Sequence, residues 1–343
     1  VFKESGIDFQ ICHLNNSYSS LYEKILYRLP FFNIKKHWIG YITKHDYEIV
    51  YIRKPYIFNA SFIYLLKHLK CNKKVRVILE LPTYPYRKEY SWKLLNLSLL
   101  ISDFYYSRKL SKYIDRISIQ NTIDRVFDIK TVHFKNGLDY SLIKTNKHPN
   151  NYSSEIHLCA VANMTKWQGY ERVIKSISTI NSQTCKKIVF HLVGEGDQLM
   201  FYKTLTNELS LEQNVVFHGF LSGRDLDDVY DLCQLGVDAF GRHKTNSKIS
   251  TSLKSREYLA KGLPVLTTTI NDIDQSLSDF TISISNDNEL IDFNSIIAYL
   301  DTLHQKYSND NLSQVIREES KKIYDIYYCY NEIIEYILEE GTL

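Results

Sequence analysis

The chain has 343 residues, 44% hydrophobic and 24% charged, a globular composition with length for two domains that each bury a core. No apolar run approaches the 18 residues of a membrane span, and six scattered cysteines without a CxxC pair suggest neither a zinc site nor a disulfide framework, so a reducing compartment fits. The net charge of +3 hides an asymmetry: residues 1–148 hold 25 Lys/Arg against 12 Asp/Glu, and the remainder 17 against 27, so the halves are expected to meet different partners.

The chain opens at Val1, and "VFKESGIDFQICHLNN" reads as the tail of a helix, a Gly turn and a strand. A segment upstream is therefore expected, and no N-terminal signal is seen. Strand-like runs follow at "IDFQICHL", "YEIVYIRKP", "KVRVILELP", "DRISIQ" and "IKTVHFKNG". Glu80, Thr83 and Tyr84 are expected in a loop after the third of these. "SWKLLNLSLLISDFYYSRKLSKY" mixes apolar, aromatic and basic residues at helical spacing. It suits an anionic membrane surface, although core packing explains its Leu stripe equally well. The polar, aperiodic "SLIKTNKHPNNYSSE" reads as a linker, with the boundary near Pro149. Two domains are thus expected, 1–148 and 149–319, with a C-terminal helical tail over about 320–343.

From Ile156 onward the alternation is regular. Strand-like runs at "IHLCAVAN", "KIVFHLVG", "NVVFHGFL", "LGVDAFG" and "LPVLTTT" alternate with the helix-like "GYERVIKSISTI", "DQLMFYKTLTNEL", "RDLDDVYDLC" and "LKSREYLAKG". Short apolar strands alternating with helices predict a doubly wound parallel sheet, whose ligands bind beyond the C-terminal strand ends. "VGEGDQL" lacks the third glycine of a dinucleotide fingerprint and reads as a tight turn; no GxxxxGK[ST] is present. "DLD" (Asp225 to Asp227) has the look of a DxD metal site, but it opens a helix, where the dipole favours acidic residues. No metal site is expected.

Two stretches carry the candidate site. In "ANMTKWQGYERVI", Gly169 precedes a helix whose N–H groups suit a phosphate, with Lys166 and Arg172 as cations and Trp167 as a packing anchor. In "STSLKSREYLAKGLPVLTTT", Ser250 and Thr251 could cap a helix that places Lys254 in its first turn. Glu257 follows one turn further in, and on the helical wheel it falls roughly 40° from Leu253 and about 60° from Ala260. A carboxylate on that face needs a partner. A ribose diol is one, a Lys254–Glu257 surface pair the other.

The quoted motifs "NGLD", "KWQGYERVI", "HLVGEGDQ", "VVFHGFL" and "LKSREYLAKGLPV" resemble, in order and spacing, family 4-type glycosyltransferases of the GT-B fold. In particular, "LKSREYLAKGLPV" and "KWQGYERVI" resemble a bacterial subgroup tied to capsule and exopolysaccharide assembly, and "YIRKP" and "ELPTYPYRKEY" look like the same subgroup. The resemblance implies two Rossmann-like domains facing a cleft, with the first strand and Gly-rich loop of the family preceding "VFKESGIDFQ". It implies a nucleotide diphosphate sugar, bound as substrate with no cofactor or metal, and transfer to a glycan or lipid-linked acceptor hydroxyl, with retention. Nucleic acid is not an expected partner. The expected location is the cytoplasm, peripheral at the inner face of the plasma membrane. By the match, Glu257 takes the ribose hydroxyls and Lys166 the diphosphate, with Arg172 in support and Gly169, Ser252 and Lys254 around the phosphates. The family's first acid falls at Ile249 and its usual Arg at Asn163, so Arg242, His243 and Lys248 of "GRHKTNSKISTS" are the substitutes near phosphate and sugar. Glu80 and His243 are the candidates for catalytic roles. A GT-B nucleotide-sugar epimerase and a non-catalytic sugar-binding partner are the rival readings.

Overall fold

The computed structural model describes residues 5–11, 47–71, 74–89, 97–147, 154–180, 186–245, 252–307 and 309–339. The chain forms two compact units, Val1–Lys135 with Cys329–Leu343, and Asn136–Tyr328. The expected boundary near Pro149 lies outside the described residues. Residues 138–147 are already held by the second unit, where Asn146 N donates to Lys261 O at 2.7 Å and Lys147 N to Asp231 Oδ1 at 2.9 Å.

The first unit carries β1 (Ile49–Arg53), α1 (Ala60–Leu69), β2 (Arg76–Leu81), α2 (Leu97–Ser107), β3 (Arg116–Ile119), β4 (Arg125–Val126) and β5 (Ile129–His133). The sheet runs β1-β2-β3-β5-β4, parallel except for the β4–β5 pair. Asn59 caps α1 by accepting from Phe62 N, and the apolar face of α1 packs with Val77, Leu79 and Leu81 of β2. The alternate residue Ile78 packs with Val132, Phe134, Ile333 and Ile337. The C-terminal helix Asn331–Glu339 therefore closes this face of the sheet, and Arg76 donates to Tyr336 O (3.0 Å) and Ile337 O (2.9 Å) near the helix end.

The second unit carries β6 (Glu155–Val161), α3 (Glu171–Ser178), β7 (Lys187–Val193), α4 (Leu199–Glu208), β8 (Val215–Gly219), α5 (Gly223–Tyr230), β9 (Leu235–Val237), α6 (Leu253–Lys261), β10 (Val265–Thr268), β11 (Thr281–Ile284), α7 (Phe293–Lys306) and α8 (Asn309–Tyr324). Its six strands are all parallel, in the order β11-β10-β9-β6-β7-β8. Ile156, Leu158 and Ala160 of β6 face one layer, with Tyr170, Val173, Tyr202 and Ile296. Cys159 faces the other, with Tyr230, Tyr258, Leu259 and Ile316. The chain winds outward from β6 to β7 and β8, then returns to place β9 on the other side of β6. Beyond the Cys159–Gly236 register these two strands part. Tyr258 bridges them, its hydroxyl accepting from Val161 N (3.0 Å) and donating to Val237 O (3.3 Å). A Cβ on Gly236 would lie 2.3 Å from the Tyr258 ring, so only glycine leaves room for this bridge.

Candidate functional site

The reversal of strand order between β6 and β9 opens a crevice at the carboxyl ends of the strands, where ligands of doubly wound sheets bind. Two loops meet there, 162–170 after β6 and 238–244 after β9. Phe240 N donates to Gln168 O at 2.7 Å and Gly241 N to Trp167 O at 3.2 Å. A Cβ on Gly169 (φ 68°) would come 2.5 Å from Gly241 N, and one on Gly241 would come 2.7 Å from Lys166 O. Backbones this close bring the side chains on both loops into one cluster.

At its centre is Asp238, 1% exposed. Its Oδ2 accepts from Ser255 Oγ (2.7 Å) and Thr267 Oγ1 (3.3 Å), and its Oδ1 lies 3.6 Å from the Lys254 ammonium. Lys254 also donates to Gln168 Oε1 (2.7 Å) and Tyr170 OH (3.3 Å). Arg242 lies with its guanidinium 4.2 Å from the Trp167 ring centroid, a cation–π contact. Burial lowers the pKa of Lys254 and of Arg242, Asp238 opposes the lowering in both, and Arg242 adds to it at Lys254. The neighbouring Asp272 is matched by Arg256 at 2.5 Å. Two partly desolvated cations thus stand with one buried carboxylate, a setting in which an anion would be held strongly.

These cations stand at the start of α6. Ser252 is its N-cap residue, buried and with no side-chain capping bond, so the first-turn N–H groups are not satisfied by it. The expected caps Ser250 and Thr251, Lys248 and Ile249 lie outside the described residues. Glu257, one turn on, is half-buried and accepts from Tyr230 OH at 3.0 Å through Oε1. The expectation that Leu253 shares a core face with it is corrected: Leu253 is 51% exposed, because α6 buries Ser255, Arg256, Tyr258 and Leu259 instead. The surface pair of Lys254 with Glu257 gives way as well, since Lys254 turns to Asp238.

Arg172 is committed elsewhere than the phosphate position its sequence neighbourhood suggests. Its guanidinium donates to the carbonyls of Glu289 and Ser285 and pairs with Asp287 at 3.1 Å, pinning the loop after β11. His243 joins the same loop, its Nε2 2.9 Å from Asn288 Oδ1. Glu171 pairs with Lys244, so the first turn of α3 ties down both loops. Lys166 is exposed, and among the described residues its ammonium makes no ion pair or hydrogen bond. Glu80 is not in a loop. It lies within β2, 7% exposed, with Arg53 at 3.5 Å, and it belongs to the first unit. Asp227 of "DLD" pairs with Lys261 and with Lys144 (3.7 Å). Among the described residues no group of His, Cys, Asp or Glu has the geometry of a metal site.

An open pocket of ≈ 560 Å³ adjoins the cluster, lined by Val161 to Asn163, Val193 to Gly196, Phe220 and Leu221. Gly196 (φ 148°) lets the turn after β7 press on the loop after β6, where a Cβ would lie 2.5 Å from Met164 O. "VGEGDQL" is therefore the wall of a pocket as well as a turn. Asp238 and Phe220 were not legible as site residues, because an acid inside an apolar run and an aromatic after a strand each read as ordinary core.

Residues 143–323 match the family described as "Glycosyl transferases group 1". The "Uncharacterized glycosyltransferase MJ1069" of Methanocaldococcus jannaschii is 24% identical over 202 residues, 55% of this chain and 50% of that protein. The chain thus spans about half the length of that curated relative. Among solved structures, a glycosyltransferase from Rickettsia africae is similar with a TM-score of 0.61 at 15% identity, covering 98% of this chain and 87% of the other. Anabaena Alr3699/HepE in complex with UDP is similar with a TM-score of 0.56 at 14% identity, covering 88% and 82%.

Proposed function

This chain belongs to the glycosyl transferases group 1 and has their GT-B type of fold, two Rossmann-like α/β units, and from that premise we propose that it transfers a sugar from a nucleotide diphosphate sugar to the hydroxyl of a glycan or lipid-linked glycan. One observation carries the proposal: at the switch point of the second unit, the partly desolvated cations Lys254 and Arg242 stand with the buried carboxylate of Asp238 beside the start of α6. A diphosphate is an anion that such cations and the start of a helix would hold. As the bond from the anomeric carbon to the diphosphate breaks, charge grows on the departing oxygen. Cations already in place and already partly desolvated stabilise that charge more than the ground state. The acceptor hydroxyl oxygen forms the new bond, and its proton leaves to the phosphate or to solvent.

In this reading Glu257 holds the ribose and the pocket beside Phe220 takes the base. Cations and helix N–H groups replace a metal, and the resemblance of the motifs supports retention at the anomeric carbon. Similarity of UDP-bound Anabaena HepE supports a nucleotide-sugar donor. The first unit, rich in Lys and Arg, takes the acceptor. A setting in surface polysaccharide assembly at the inner face of the plasma membrane completes the proposal. No helix among the described residues is long and apolar enough to cross a membrane; the contact proposed here is made by α2, whose Ile101 and Phe104 are exposed.

Titration calorimetry with UDP-, GDP- and dTDP-hexoses in the presence of EDTA tests the reading. At least one donor binds without metal, and Arg242→Gln weakens it about tenfold, the effect of losing one charged hydrogen bond of roughly 1.4 kcal/mol. Glu257→Ala is expected to weaken binding by a similar factor. Affinity unchanged in both variants removes the cluster from the donor site.

A further inference from the structure

We infer that Tyr230 is a positioning residue, aiming one oxygen of the Glu257 carboxylate at the ribose hydroxyls of the nucleotide; this rests on the reading of Glu257 given above. Tyr230 ends α5, and Glu257 lies mid-way along α6, so the two come from separate elements on one face of the sheet. The phenol O–H donates to Glu257 Oε1 at 3.0 Å. Glu257 Oε2 has no partner among the described residues, and the residue is half-buried. A carboxylate with one oxygen tethered and the other open is oriented toward whatever donor enters from that side.

The tether is rigid because the ring beneath it is fixed. Tyr230 is 1% exposed, its ring centroid 6.1 Å from that of Tyr258 in an edge-on contact, with the Lys261 ammonium 5.0 Å away on another side. Tyr258 is itself fixed to Val161 and Val237. Burial, reinforced by the charge of Glu257, holds the Tyr230 phenol well above its ordinary pKa, so its O–H remains a donor at all working pH values. A free glutamate side chain would lose rotamer freedom on gripping a diol; here that ordering precedes the ligand. The consequence is specific to the sugar ring of the nucleotide. It concerns the 2′-hydroxyl, and leaves the diphosphate contacts of Arg242 and Lys254 untouched.

The test is the ratio of affinities of the full chain for the better bound of UDP and GDP and for its 2′-deoxy counterpart. The unaltered protein is expected to prefer the ribonucleotide about tenfold. Tyr230→Phe keeps the packed ring and removes only the O–H, and its preference is expected to fall below about threefold. Glu257→Asp, which retracts the carboxylate from the tether without disturbing the Tyr230 ring, is expected to fall likewise, and it keeps the test open if Tyr230→Phe does not fold. Tyr230→Phe or Glu257→Asp retaining the full preference while Glu257→Gln loses it overturns the inference and leaves the ribose reading standing. Retention of the preference by Glu257→Gln as well overturns both.

Discussion

Three imidazoles form a ladder across adjacent strands of the second unit. His157 Nδ1 lies 2.8 Å from His191 Nε2, and His191 Nδ1 lies 2.9 Å from His218 Nε2. With Glu155 accepting from His157 Nε2–H, the neutral chain of N–H···N bonds runs toward that carboxylate, His218 donating to His191 and His191 to His157. His191 is 5% exposed, and burial, then His157 and His218, pull its pKa from 6.5 to about 4. The unfolded chain binds this proton more readily than the folded one. Stability from His191 is therefore complete above pH 6.5 and is lost as the pH falls through 4. Denaturant melts of the second unit are expected to show about 2 kcal/mol less stability at pH 5 than at pH 7, and His191→Leu to flatten that slope. An equal slope in the variant assigns the acid sensitivity elsewhere. None of this was visible in the sequence, because the three histidines lie on separate strands and only the parallel register stacks them.

Elements place the site through backbone proximity. Gly169 and Gly241 let the loops after β6 and β9 touch, and so bring Trp167 and Gln168 to Arg242 and Lys254. Gly241→Ala is expected to cost about 2–3 kcal/mol in denaturant unfolding and to weaken nucleotide binding, because the loops must part. Gly223→Ala, with open space at its Cβ and only its positive φ to strain it, is expected to cost about 1–2 kcal/mol and to spare binding. Equal losses in the two variants would show that loop contact is immaterial to the site. The strands of the second unit were legible because parallel strands covered on both faces are continuous apolar runs. The face of α6 was not: a wheel assigns the buried stripe from apolar residues, whereas this helix buries Ser255 and Arg256 against Asp238 and Asp272.

At the scale of the molecule, α2 is amphipathic in an inverted sense. Its buried side includes Asp103, which accepts from Tyr86 OH (2.8 Å) and pairs with Arg87 (3.2 Å). Leu97, Ile101, Phe104 and Tyr105 are 43–52% exposed. The Arg108 guanidinium lies 3.8 Å from the Phe104 ring centroid and the Lys109 ammonium 4.0 Å from that of Tyr105. An apolar face rimmed by cations, on the unit richer in Lys and Arg, suits an anionic lipid surface. The full chain is expected to pellet with anionic but not neutral liposomes at low salt, and a Phe104→Ser, Ile101→Ser double variant to lose about tenfold in binding. No pelleting at low salt discards the membrane contact.

Composition, periodicity and turn chemistry were enough to determine two α/β units and to single out two stretches, 162–174 and 250–269, whose described residues include Trp167, Gln168 and Lys254 of the candidate cluster. These are local properties, and hydrophobic spacing and Gly–Pro punctuation encode them directly. Which cations meet which carboxylate was decided only in three dimensions. Arg172 reads as a phosphate ligand by its place after Gly169, yet folding delivers it to the 285–289 loop; Asp238 reads as part of a strand, yet it anchors Lys254 and Ser255. A buried charge must find its partner among whatever the crossovers bring near it, and that neighbourhood is a property of strand order rather than of sequence distance.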